Sequence, residues 1–520
     1  MRIRRLGAGL WLAAFVAVPA AGLSEQHKDG APLSAIDWLS DSVATPVSLP
    51  SDIPGLPSDI SANASHSPVT TMPLDGALPD AVGLMSPAEA NLPAGLWGAS
   101  PAIDIARRLT AEPLEMLPEM QALLRRVLLA RLDPPVDADT DASLFLARVD
   151  RLLQLGLLTE AQTLLAEAPT NNADIFRRIF DVALLTGEET AACGSMRQSP
   201  EFSPTYSARI FCLARMGDWQ AAALTLESAN AIGILTPEQD HLMARFLDPE
   251  LFEGQPPPRA PMRPSPLTYR LYEAIGEPEK TSGLPIAFAH ADMRSTSGWK
   301  ARLEAAERLA ETGAISSEEL FDLYRQNRPS ASGGIWERAR AIQTLDAALM
   351  SGDTDKVGDA LPTAWDQMES ARLEYPFAEA YGARLNRIAL PDDAQPLAFR
   401  IGLLSPEFKS VAEAHRPSDP YERFLVSLAR GMPGYSGSSR PLTRAVQEGF
   451  AGTELPVRYR NLVESDRRGE ALLLAVQQFS EGAFGDYDQI ADALALFRYL
   501  GLEDTARRAA LELLILERRG

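Results

Sequence analysis

The sequence predicts an all-α protein: a right-handed superhelix of helical hairpins behind a disordered N-terminal tail. Three observations predict it. Between residues 144 and 233 a helix-period apolar run ends three times in a short glycine turn, and a second helix follows each time. The turn glycines, Gly156, Gly187 and Gly217, lie 31 and 30 residues apart, close to the period of stacked helical repeats. Period-two alternation, the mark of strands, is almost absent, and 46% hydrophobic residues over 520 supply enough apolar surface for extended cores.

The chain opens on Met1-Arg2-Ile3-Arg4-Arg5, a basic stretch, followed by an apolar run over residues 6–18 and small residues at Ala20, Ala21 and Gly22. This is the layout of a cleavable secretory signal, and the apolar run is short of the roughly 20 residues that span a bilayer. Residues 1–22 are therefore expected to be removed, which places the chain in the periplasm or outside the cell with no membrane insertion afterwards. Residues 23–100, rich in Pro, Ser, Ala and Gly, are expected to be disordered. Two apolar islands interrupt them. One carries Ile36, Trp38 and Leu39, with Val43 beyond; the other runs from Val82 to Leu92 and on to Leu96-Trp97. A tryptophan in such a tail either anchors a partner or folds back onto its own domain.

Two helices are predicted in 101–132. Pro118 opens the second, and Met120, Leu123, Leu124, Val127 and Leu128 form its apolar face. The hairpin array follows. Each turn glycine closes a helix in the left-handed conformation. Thr159, Glu188 and Asp218 then bring oxygen or negative charge to the next helix start. One hairpin cannot bury both of its apolar faces, so neighbours must stack.

On these residues (Leu152, Leu155, Ala161 and Leu164, then Ala208, Leu213, Gly217, Ala221 and Leu224) the array resembles the tetratricopeptide-like class of repeats over about 90 residues. The resemblance implies an α-solenoid that offers a curved surface to a protein partner.

A proline-rich connector at 254–266 separates a first helical segment, 101–253, from a second, 267–520. It either divides the body into two or loops along one. Helices are predicted beyond it at 266–275, 298–312, 316–326, 334–351, 353–371, 378–388 and within 418–430, then at 470–479, 490–500 and 503–516.

Chemistry is sparse. The five histidines are isolated from one another, and neither His290-Ala291-Asp292 nor Asp240-His241 has metal-ligand spacing. Ser332-Gly333-Gly334 opens a helix whose free amides could hold an anion, although a plain N-cap by Ser330 or Ser332 explains the same residues. The Gly434-Tyr435-Ser436-Gly437-Ser438 loop misses a nucleophile elbow. Glu464-Ser465 matches only the dipeptide of the lytic transglycosylase signature. No cofactor motif is present. Trp219, Trp299, Trp336 and Trp365 fall near helix starts or in apolar periods. Core packing is the ordinary reading for them, and an aromatic lining by Trp299 and Trp336 the functional one.

A net charge of −21 excludes general nucleic-acid binding, because phosphates are repelled. The only two cysteines, Cys193 and Cys212, sit on adjacent antiparallel helices about level with each other, and an oxidising compartment would join them. The expectation is a non-catalytic scaffold or adaptor for a protein partner in the cell envelope. The alternatives are a binding module for a cell-wall polymer or small ligand, and an enzyme whose site forms no motif.

Overall fold

The glycine turns form where the sequence places them, and they set the architecture. In the computed structural model Gly156, Gly187 and Gly217 have φ of 75°, 86° and 85°. The amides after them return to the helices just ended: Leu157 N–H donates to Leu152 O, Glu188 to Ala183 O and Asp218 to Leu213 O, all at 2.9 Å. The structure describes residues 36, 38, 78–139, 141–168, 172–431, 440–452 and 454–516. The signal segment, Leu39, Val43 and the 434–438 loop lie outside those residues. Twenty-five α-helices and five short 3-10 helices make up the described chain, with no strand among its residues. The nearest thing to a sheet is an isolated bridge between Met85 and Ala130.

Side-chain caps set the helix starts. Asn172 accepts from the amides of Asp174 and Ile175 at the head of Ala173–Thr186. Asp218 accepts from Ala221 N–H before Trp219–Ala231. Thr236 and Gln239 form a reciprocal capping box ahead of Pro237–Leu247.

Residues 78–100 correct one boundary, because they belong to the body and not to a disordered tail. Their prolines and small residues build compact turns, a 3-10 turn at Pro79–Ala81 and a single helical turn at Pro87–Ala90 with a Ser86–Glu89 capping box. Composition alone missed the burial of Leu92, Leu96 and Trp97. Asp80 reaches across to accept from Phe145 N–H at 2.7 Å. It thus caps the Ser143–Gln154 helix, whose own N-cap residue, Ala142, has no side-chain oxygen. Arg148 clamps the same segment by donating to Val82 O at 2.7 Å, Leu128 O at 2.8 Å and Ala130 O at 3.1 Å.

Among the described residues, the helices before and after the 254–266 connector fall in one compact unit. After the prolines, Pro266–Ala274 packs back on Ala173–Thr186. The helices between carry their own apolar cluster, including Phe180, Phe211, Met243 and Leu271. Cys193 and Cys212 lie in that cluster with their sulfurs at bonding distance and Cα atoms 5.0 Å apart, the disulfide that the sequence predicts.

The two ends of the helical body meet. Pro118–Leu129 packs on Glu503–Leu516, and Ala102–Ala111 packs on Arg468–Gly482. Glu512 accepts from Glu119 N–H at 2.8 Å, and Arg108 Nε donates to Glu470 at 3.0 Å. Gly469 N–H donates to Leu96 O at 2.8 Å, and Ala99 N–H to Asp466 O at 2.9 Å. Gly469 has no room for a Cβ there, because the Trp97 ring lies against its Cα.

Candidate functional site

Closure of the body leaves a cavity of about 1030 Å³ between the first, middle and last helices. Its position follows from how one helix ends. Ala102–Ala111 stops at Glu112, held at ψ 138°, because Pro113 excludes helical geometry in the residue before it. Glu112 therefore leaves the helix and turns toward Ser143–Gln154, where Arg151 also lines the cavity.

Both side chains are sealed off: Glu112 is 4% exposed and Arg151 2%. Arg151 donates through Nη1 to Gln154 Oε1 at 3.0 Å and through Nη2 to Pro113 O at 2.5 Å. Neither its Nε nor Glu112 Oε2 has a protein hydrogen-bond partner. Burial pushes the Glu112 carboxyl up to about 8, against the opposing pull of Arg151 and Arg108. Burial likewise brings Arg151 down to about 10, with Glu112 pulling the other way. Burial thus favours the neutral, proton-donating form of the Glu112 carboxyl beside the Arg151 guanidinium.

Ile36 and Trp38 sit in the wall of the same cavity, 5% and 7% exposed. The Trp38 ring stands edge-on to Phe288, with centroids 5.4 Å apart and planes at 70°, and Phe288 meets Tyr269 in the same way at 5.5 Å. Phe288 is held in place by the next turn of chain. In Ala289–Met293, His290 Nε2 donates to Gly156 O at 2.6 Å. Burial lowers the pKa of that ring, which favours the neutral imidazole.

The far side of the cavity is a waist. Arg372, at φ 57° in the turn after Thr354–Glu369, reaches Glu115 at 3.3 Å and Glu311 at 3.5 Å. With Gln121, Glu311 and Thr312 it also borders a second cavity, of about 1160 Å³. There Glu119 pairs with Arg126 at 3.1 Å and Arg508 at 3.5 Å.

The residues singled out from sequence fall in three places. Trp38 and Ile36 lie at the cavity, while Trp97 is 2% exposed beneath the Arg468–Gly482 helix start and lines neither cavity. Trp299 and Trp336 pack on each other, with centroids 5.1 Å apart, and Trp299 Nε1 donates to Leu323 O at 2.9 Å. Both are partly buried against the core, outside the two cavities. Ser332, Gly333 and Gly334 are exposed. Gly334 at φ 50° is itself the N-cap of Ile335–Ser351, with no side-chain cap. This corrects the expected cap by Ser330 or Ser332. The chain's own Glu337 carboxylate accepts from Gly333 N–H at 3.1 Å. Trp219 also departs from expectation: it is 51% exposed, because its helix caps a peripheral cluster and not the main core. Trp365, by contrast, is buried.

Sequence reasoning missed Glu112, Arg151, Phe288 and Arg372, which converge from four separate stretches. The Glu112-Pro113 step at a helix end was the one local signal available. Among the described residues no group of three or more His, Cys, Asp or Glu could hold a metal ion. No helix among them is long and apolar enough to cross a membrane. Comparisons with protein families, curated proteins and solved structures found no match to this chain.

Proposed function

We propose that the chain is an exported, non-catalytic helical scaffold, built of tetratricopeptide-like hairpins, that holds a protein partner at the 1030 Å³ cavity. The observation that carries this reading is the mouth of that cavity. Leu114, Met262 and Phe484 border it while 53%, 92% and 66% exposed. Large apolar side chains gathered in water at the rim of a cavity are the ordinary mark of a protein-binding surface. A disulfide between the only two cysteines supports an oxidising compartment for the mature chain.

The test is site-specific photo-crosslinking in intact cells. A crosslinker at Leu114 or Phe484 should trap the same protein, and one at Met350, exposed but away from both cavities, should not. Absence of an adduct at the rim, or the same adducts at all three positions, would overturn the reading. Glu112 favours a second reading, a small ligand or cell-wall fragment held in the cavity through the protonated acid. In that case Glu112→Gln would abolish ligand-induced stabilisation and leave the rim crosslinks in place.

A further inference from the structure

Among the described residues three arginines, Arg148, Arg151 and Arg178, are at most 2% exposed, and two of them are compensated. Arg178 is gripped by Asp150 at 2.6 and 2.8 Å. Arg148 is saturated by the carbonyls of Leu128, Asp80, Val82 and Ala130. Arg151 has neither arrangement. It donates only to the neutral oxygens of Gln154 and Pro113, and its Nε–H is left over. Glu112 is the charge that pulls on it, yet burial drives that carboxyl toward its neutral form. A water in the gap would satisfy hydrogen bonds but not the charge, and a buried cation without a counterion is costly.

The cavity beside this pair suits an apolar body. Glu112 forms no hydrogen bond with the described chain and its Oε2 is buried, so the cavity meets the carboxyl through Oε1. Leu117, Leu155, Leu284, Ile286 and Leu516 line the same space, whose 1030 Å³ accommodates a ligand of drug size.

We infer that Glu112 and Arg151 hold the carboxylate of a ligand with an apolar body, either a free alkyl acid or the C-terminus of an apolar peptide. Two carboxyls, one proton and one guanidinium then sum to zero charge, whichever carboxyl carries the proton. That proton makes a charge-assisted hydrogen bond between the two carboxyls, with the guanidinium as their counterion. An alcohol or amide of the same shape leaves the cation uncompensated. Glu115 and Glu311 are drawn to Arg372 at the waist. The inference rests on the cavity being the place of binding, as above, and names the group that it recognises.

Isothermal titration calorimetry of the full-length protein tests this with decanoate, hexanoate and decanol, and with a hexapeptide ending in Leu-Phe whose C-terminus is free or amidated. At pH 6 decanoate should bind at least tenfold more tightly than decanol. It should also exceed hexanoate at least tenfold, since each buried methylene tightens binding about fourfold. By pH 9 decanoate should lose about tenfold and decanol nothing, because Glu112 titrates at about 8, raised by burial and Glu481 and lowered by Arg151 and Arg108. Glu112→Gln, which has no proton to share, should lose at least tenfold for decanoate and nothing for decanol. Should that variant fail to fold, decanoate against decanol on the wild type at the two pH values decides alone. Binding in the alkyl series alone assigns a free acid; binding of the free-ended peptide and not the amidated one assigns a chain end, and either supports the inference. Absence of carboxylate-dependent binding in both series, or decanoate binding that Glu112→Gln leaves unchanged, would overturn it. Rim crosslinks that persist in that event would leave the partner-binding reading standing alone.

Discussion

Glu112 makes stability depend on pH in a way that a neutral isostere removes. Its carboxyl titrates near 4.5 when the chain is unfolded and up to about 8 in the folded protein. The rise comes first from burial, and the Glu481 carboxylate works in the same direction against Arg151 and Arg108. Between those values the folded state binds the proton and the unfolded state releases it, so stability falls as pH rises. Integrating the linkage gives a penalty of about 1 kcal/mol at pH 5 and about 4 kcal/mol at pH 8. Glu112→Gln keeps the shape and removes the titration. Urea unfolding followed by circular dichroism at the two pH values reads the difference directly. Relative to the wild type, the variant should gain about 3 kcal/mol between pH 5 and pH 8, with the two proteins within about 1 kcal/mol of each other at the acid end. Parallel pH profiles for the two proteins would refute the argument, because Glu112 would then be ionised or solvated in the folded state.

Other elements give sharper local tests. Replacing Cys193 and Cys212 together by serine should cost about 3 kcal/mol, since the bond closes a loop of 19 residues; thiol labelling of the native chain without reductant should find no reactive cysteine, and two would rule the bond out. Arg178→Ala strands Asp150, which it grips at 2.6 and 2.8 Å deep between two helices, and should cost about 3–5 kcal/mol. The double change to Asp150→Leu with Arg178→Met should recover most of that, and failure to recover would show that packing, not charge, sets the cost. Gly469→Ala drives a methyl into the Trp97 ring and should cost about 1–3 kcal/mol in urea unfolding; an unchanged midpoint would mean that the junction yields. Fusion of residues 1–30 to a reporter active only outside the cytoplasm should give activity, and an inactive fusion would remove the export reading.

Helices were legible in the sequence wherever apolar period and punctuation agreed. Gly156, Gly187, Gly217, Gly313, Gly352 and Gly501 all turn the chain at positive φ. The face of Pro118–Leu129 is buried at each of its five predicted positions. Residues 78–100 were misread because a compositional rule cannot tell a disordered Pro/Ala stretch from one that folds as short capped turns against a distant surface. The cap on Ser143–Gln154 could not be seen, since its acceptor, Asp80, comes from 65 residues away. The cavity was invisible for the same reason: Glu112, Arg151, Phe288 and Arg372 are each ordinary in their local sequence. Only the packing of Ser143–Gln154 on Ala102–Ala111 and on the 286–288 turn, with Arg372 paired to Glu115, brings them near one another.

The pairing of the first helices with the last also fixes an order of events. Glu119 and Glu512 are 393 residues apart, and Arg108 and Glu470 are 362 apart, yet each pair joins one interface. A ribosome or a translocation channel that delivers the chain from its N-terminus presents Pro118–Leu129 long before Glu503–Leu516 exists to cover it. Contacts at such separation pay their loop-closure entropy late and fold slowly. The early helices must therefore wait with an apolar face in water, where aggregation competes. A premature stop anywhere before residue 503 leaves that face bare for good. Loss of the final helix should thus make a chain that is made in full measure and then cleared, as damaging as a break at its centre.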